Sequence, residues 1–411
     1  MGTYSICRKR RFAELFGLTV VALLVAVSCA AAQDAGNQIA AGAAFVHPGL
    51  LHTEQDFDRM REKVAARAEP WLSGWNKLLA NRHSSLQWKP RPVEVVFRGN
   101  QSAHPQNYPL LFNDIAAAYA CALRWRVSGD PAYADKSVEI MNAWSSILKK
   151  IDGTNDKFLA SGIYGYQFAN AAEIMRSYPG WHTDDFTRFQ EMMLGVFYPM
   201  NHDFLQHHNG AKIDHYWCNW DACNMASELA IGVLCDKRSI YDDAIGYFKH
   251  GEGNGAIEHA VLHLYPGNLG QWQESGRDQG HSCFGIGLLG AVCEMAWNQH
   301  DDLYGYDNNR FLAGAEYVAK YNLGYDVPYT LYKNSDVVQE SISPYGRGDI
   351  RPIWAMVYNH YVNRKGLSAP YSAMFAEKVR PEGGGGDYGP NSGGFDQLGY
   401  GTLTFTRDPS R

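Results

Sequence analysis

The sequence predicts an all-α fold of paired helices, and three observations support this. Across 54–361 the apolar residues recur at helical spacing, broken by short Gly, Pro and Asn turns. Strand-like alternation is scarce before 400–406. The helices also follow one another like hairpins, and without a sheet to cover, such a series stacks into a helical toroid or solenoid. In chain order the helical segments are 56–66, the alanine-rich 111–127, which ends near Ser128-Gly129-Asp130-Pro131, and 132–149. Next come 166–178, stopped by Pro179-Gly180, then 186–197, 217–234, 239–248, 257–264, 282–298, 311–321 and 353–364. The glycine-rich stretch 383–394 reads as a surface connection.

The first residues read differently. Arg8-Lys9-Arg10-Arg11 precedes an apolar run over 16–27 that is short for a bilayer span, and Ala30-Ala31-Ala32 follows. Residues 1–32 are therefore expected to be a secretory signal peptide, with 33–411 a single exported domain, periplasmic or secreted. Cys29 offers lipid anchoring as an alternative, although Ala26-Val27 makes a poor lipobox. Cys121, Cys218, Cys223, Cys235, Cys283 and Cys293 remain, none in a CxxC pair, which suits buried thiols. A net charge of −6 supplies no basic field for nucleic acid, but arginines in a cleft can still hold a polyanion. An aromatic content of 13% fits a large core or sugar-stacking platforms.

The densest chemical run is Gln271-Trp272-Gln273-Glu274-Ser275-Gly276-Arg277-Asp278-Gln279-Gly280-His281. Read as a helix, it sets Glu274, Arg277 and His281 at i, i+3 and i+7 on one face. Gly276 and Gly280 then form an adjacent seam for a second helix, at about 1 kcal/mol of helix propensity per glycine. Such a face suits an anion and a proton. A second patch, 214–224, sets His215 with Asn219 and Tyr216 with Trp220 at i, i+4. It fits either a site or a satisfied polar seam. His207-His208 is weak as a metal pair because adjacent histidines point apart, so no metal site is expected.

These patches resemble the alginate-lyase superfamily of polysaccharide lyases over nearly all of 33–411. The resemblance runs through His47-Pro48-Gly49-Leu50-Leu51-His52, Gly162-Ile163-Tyr164-Gly165-Tyr166-Gln167-Phe168-Ala169-Asn170-Ala171-Ala172-Glu173 and Asn219-Trp220-Asp221. It is strongest at 274–281 and at Asn298-Gln299-His300-Asp301-Asp302-Leu303-Tyr304, and it ends with Arg351-Pro352-Ile353-Trp354 and Tyr358-Asn359-His360-Tyr361. It implies an α/α toroid, an incomplete helical barrel with a central substrate cleft or tunnel. It also implies β-elimination on alginate, polymannuronate or glucuronan, giving 4,5-unsaturated uronate ends, with an anionic polysaccharide as partner and no cofactor.

That reaction needs the C6 carboxylate neutralised before the C5 proton can leave, and an acid for the departing O4. His215, Arg277, His281 and Tyr216 are the expected catalytic residues. Asn219, Trp220, Tyr164, Gln167, Trp272, Glu274, His360 and Tyr361 are the expected substrate contacts, with Glu274 better suited to orienting Arg277 or His281. Trp220 and Trp272 fit sugar stacking or core, and His360 a contact or a structural histidine. Tyr164 and Gln167 read as a glycine-flanked turn. Arg347 and Arg351 suit outer carboxylates or pairing with Asp349. One position departs from the family: where better-known relatives carry a catalytic tyrosine two turns after the arginine, this chain has Phe284. The tyrosine must come from elsewhere, with Tyr216, Tyr164, Tyr265 and Tyr361 considered in that order, or His281 takes part of the role. The alternatives are a glycoside hydrolase, for which Glu274 and Asp278 lie too close to oppose each other, and a non-catalytic glycan binder.

Overall fold

The computed structural model describes residues 1–2, 44–100, 103–388 and 395–409. The expected signal segment lies outside the described residues apart from Met1 and Gly2. No helix among the described residues is long and apolar enough to cross a membrane.

In chain order the elements are α1 (Glu54–Ala65), α2 (Trp71–Ala80), β1 (Val95–Arg98), α3 (Pro109–Ser128), α4 (Pro131–Ile147), β2 (Lys150–Gly153) and α5 (Lys157–Met175). Then come α6 (Thr183–Met192), α7 (Tyr198–His207), α8 (Cys218–Leu234), α9 (Arg238–His250), α10 (Ile257–Ala260), β3 (Val261–Tyr265) and β4 (Leu269–Trp272). The chain continues through α11 (Gln279–Asn298), α12 (Tyr306–Asn322), β5 (Tyr332–Lys333), β6 (Val338–Gln339), α13 (Trp354–Tyr358), α14 (Pro370–Val379) and α15 (Gly401–Thr404). The strands pair only two by two: β1 with β2 parallel, and β3 with β4 and β5 with β6 antiparallel.

The inner helices α3, α5, α8, α11 and α13 pack in succession, and α15, α1 and α2 close the ring back onto α3. Around them, α4 packs on α3, α9 on α8, α12 on α11 and α14 on α13. Burial explains the order. Every residue of α5 from Phe158 to Met175 is buried, so this helix has no solvent face. By contrast α9 buries Ile240, Tyr241, Ala244, Ile245 and Phe248, a single stripe, as an outer helix should. Contact between α5 and α8 depends on small residues. A Cβ on Gly162 would stand 2.4 Å from Cys223 Sγ, and one on Gly165 2.0 Å from Ser227 Oγ. Residues Phe45–Arg411 make one unit, and all six cysteines among the described residues are buried and free.

Several sequence expectations need correction. Segment 257–264 is helical only to Ala260. The chain then extends into β3, where Val261 faces Trp272 and Tyr265 faces Leu269. Segment 400–406 holds the short helix α15, packed so tightly on α2 that Gly74 lies against the Leu403 backbone. Helix α5 begins at Lys157, so Tyr164 and Gln167 sit inside a buried helix, because Gly162 and Gly165 are packing residues and make no turn. Helices α2, α7 and α14 lie outside the expected segments. In the glycine-rich stretch, Gly383, Gly384 and Tyr388 are buried and Gly384 bridges Gly399, so this part is not a surface connection.

Candidate active site

The run 271–281 is not a helix. Trp272 ends β4, residues 273–277 turn, and α11 starts after Asp278, an extended N-cap whose carboxylate accepts from His281 N. Loop contacts prevent helical pairing, since Gln279 N donates to Tyr345 O and Ser343 N to Ser275 O. Gly276 lies against Tyr329 and Gln339 of the following loop and hairpin, so no second helix uses that seam.

The turn nevertheless gathers the expected side chains. Arg277 Nη1 donates to Glu274 Oε2 at 2.8 Å, and Nη2 faces His281 Nε2 at 3.1 Å. His281 Nδ1 lies 2.7 Å from Asp278 Oδ2. Because Asp278 accepts there, the proton sits on Nδ1 and Nε2 keeps its lone pair. Burial opposes ionisation of Asp278, but the side-chain and backbone hydrogen bonds from His281, with the charge of Arg277, outweigh it and hold the carboxyl below its usual range.

The same turn docks on the start of α8. Glu274 Oε1 accepts from Asn219 N at 2.9 Å and Gln273 Oε1 from Cys218 N at 3.1 Å, so two free helix donors are satisfied and a carboxylate meets the positive helix end. Glu274 is fully buried, and burial raises its pKa despite the pull of Arg277, His281 and the Asn219 amide. It therefore holds Arg277 with one oxygen and α8 with the other. Asn219 is 2% exposed, and its side-chain Oδ1 has no hydrogen-bond partner among the described residues. The Arg277 guanidinium lies 5.0 Å over the Trp217 ring, which faces Tyr332 at 6.4 Å. The Tyr332 hydroxyl accepts from Gln273 Nε2 at 2.7 Å. Burial raises its pKa, with the charges of Asp214 and Glu274 adding to the effect.

Other expected residues fall elsewhere. His215 is not on a helix with Asn219. It is exposed in the turn before α8, with Nδ1 2.8 Å from Asp336 on the β5–β6 hairpin. Tyr216 packs with Phe158, Phe204 and Trp220, its hydroxyl 3.2 Å from Asn209 Nδ2. Trp272 is wholly buried against Gly285 and Gly314. His360 and Tyr361 are core: His360 stacks on Tyr304 with ring centroids 3.6 Å apart, and the Tyr361 hydroxyl donates to Tyr304 O. Tyr265 bonds Gln271 and Thr330. His207 turns to Asp203 while His208 turns to Asp221 and Tyr247, so the two histidines do not converge.

A second polar group joins α5 to the chain after 394. Gln167 Nε2 donates to Phe395 O, and the Tyr166 hydroxyl to Asp396 O. Arg351 pairs with Asp396 at 2.9 Å and lies over Phe284. Arg347 is held by the Tyr321 and Tyr325 carbonyls. Tyr164 is buried under Arg98, whose guanidinium lies over the Tyr108 and Tyr164 rings. Sequence reasoning missed Arg98 and Tyr332. Both stand on strands of two to four residues, too short for alternation to register.

No curated protein matches the chain. Among solved structures, an alginate lyase from Bacteroides ovatus aligns with a TM-score of 0.55 at 11% identity, over 88% of this chain and 100% of that one. Alginate lyase A1-III from Sphingomonas species A1 aligns at 0.54 and 15% identity, over 86% of this chain and 95% of that one. A histidine-to-alanine variant of alginate lyase A1-III complexed with a tetrasaccharide aligns at 0.54 and 14% identity, over 76% and 86%. At such identities the likeness concerns the fold, an α/α toroid. The sequence itself goes further: residues 77–326 match the family described as alginate lyase. The chain therefore belongs to the alginate lyase family.

Proposed function

We propose that the protein is an exported polysaccharide lyase, one domain after its signal segment, that cleaves a uronic-acid polysaccharide by β-elimination. Alginate, polymannuronate and glucuronan are the substrates to test. The observation that carries the reading is the Asp278–His281–Arg277–Glu274 chain of bonds, which sets a cation against the Nε2 lone pair of a neutral imidazole. Arg277, with the Asn219 amide, binds the C6 carboxylate and stabilises the charge that develops on it. As the carboxylate takes Arg277, His281 Nε2 is released to accept the C5 proton. The electrons left on C5 form the C4–C5 double bond and expel O4, which takes a proton from an acid. Tyr332 is the proposed acid, since its raised pKa keeps it protonated and it is bonded to the neighbour of Glu274. His215, exposed and paired with Asp336, is assigned to an outer sugar, so His215→Ala raises KM more than it lowers kcat.

Hydrolysis would need two opposed acids. Here Glu274 is buried on Arg277 and Asp278 is taken by His281. Incubation with alginate, polymannuronate, polyguluronate and glucuronan, followed by ultraviolet absorbance, separates the two reactions. Elimination creates the conjugated unsaturated uronate. Reducing ends without new absorbance would overturn the lyase reading.

A further inference from the structure

Away from the Arg277 turn, three side chains on successive helices converge: His202 on α7, Glu228 on α8 and Asp243 on α9. Their donor atoms all lie within 4.8 Å of one another, and His202 Nδ1 is 3.0 Å from Glu228 Oε1. Ligands at about 2.0–2.2 Å from a zinc ion stand at most about 4.4 Å apart, so a small side-chain rotation brings all three into coordination.

The buried carboxylate makes this more than a surface cluster. Glu228 is 1% exposed, yet among the described residues no lysine or arginine pairs with it. Its single hydrogen bond is from His202, and Oε2 makes none among the described residues. A buried acid beside a second acid is costly unless a cation joins them. His202 is partly exposed and Asp243 exposed, which leaves room for water to complete a coordination shell. The cluster also lies apart from the proposed reaction site, because Glu228 follows Asn219 by about 13 Å along α8.

We propose that His202, Glu228 and Asp243 bind a divalent metal ion of the zinc class, tying α7, α8 and α9 together on the outer wall of the toroid. One imidazole and two carboxylates match zinc, whereas calcium takes six or more oxygens.

The test strips the full chain with a chelator and titrates zinc, then calcium, calorimetrically, with thermal unfolding followed in parallel. The expected result is one saturable equivalent of zinc and a higher unfolding midpoint. Glu228→Gln and His202→Ala, both checked for native helicity, should each weaken binding at least tenfold while the rate on polyuronate stays unchanged. Absence of a saturable equivalent, wild-type affinity in both variants, or a preference for calcium would each overturn the assignment.

Discussion

Two Glu–Arg–His clusters flank α11 and look alike as lists of residues. In the first, Arg277 pairs with Glu274 at 2.8 Å and faces His281 at 3.1 Å. In the second, Arg364 pairs with Glu294 at 2.8 Å and faces His360 at 2.6 Å. Their surroundings separate them. The His281 side chain is 39% exposed and the His360 side chain 0%. His281 has Asp278 to fix its tautomer, whereas His360 Nδ1 accepts a hydrogen bond from Arg364 and Nε2 has no partner among the described residues. Burial, with the charges of Arg364, Lys365 and Arg407, lowers the His360 pKa to about 2. The first cluster is open to solvent and has an orienting carboxylate, as the proposed proton transfer requires, whereas the other is a buried tie between α11 and the segment after α13.

Substitutions can break that comparison. His281→Ala is expected to lower kcat by about 10²–10⁴-fold, the usual worth of a general base, with little change in the unfolding midpoint. His360→Ala should leave kcat per folded molecule intact. Arg277→Ala should cost about 10²–10³-fold in turnover. Arg364→Ala should instead destabilise by about 3–5 kcal/mol, because Glu294 is left buried and unpaired, which denaturant titration reads directly. Asp278→Asn retains the imidazole but loosens its tautomer. The expected loss is on the order of tenfold to a hundredfold, below the extreme seen for a protease triad. Tyr332→Phe should slow elimination least when the sugar at O4 is replaced by a better leaving group, since the acid is then less needed.

A further prediction concerns pH. His360 stays neutral in the fold while an unfolded histidine protonates near 6.5, so its contribution to stability is complete above 6.5 and is lost as pH falls toward about 2. Across that window it adds a slope of about 1.4 kcal/mol per pH unit. His360→Gln should lower the measured slope by one proton. An unchanged slope would show that His360 titrates freely.

The helical ring was legible because its cause is periodic: outer helices such as α9 show one apolar stripe, and inner ones such as α5 are apolar all round. Exceptions arose where tertiary contacts override local pattern. Gly162 and Gly165 read as a turn because their partners, Cys223 and Ser227, are some sixty residues away. Val261 left its helical pattern to pair with Trp272. In the site, the grouping of Glu274, Arg277 and His281 was foreseen for the wrong reason, since a turn and an N-cap unite them rather than a helix face. His360, Tyr361 and Trp272 were indistinguishable from site residues because sequence carries residue type but not burial. Tyr332 depends on a two-residue strand and a bond to Gln273, neither of which leaves a pattern along the chain.

The most direct test compares wild type, His281→Ala and His360→Ala on whichever polyuronate wild type cleaves, reading the initial rise in ultraviolet absorbance per folded molecule. The expected rate is near wild type for His360→Ala and near zero for His281→Ala. Equal loss in both, or a wild-type rate in His281→Ala, would contradict it.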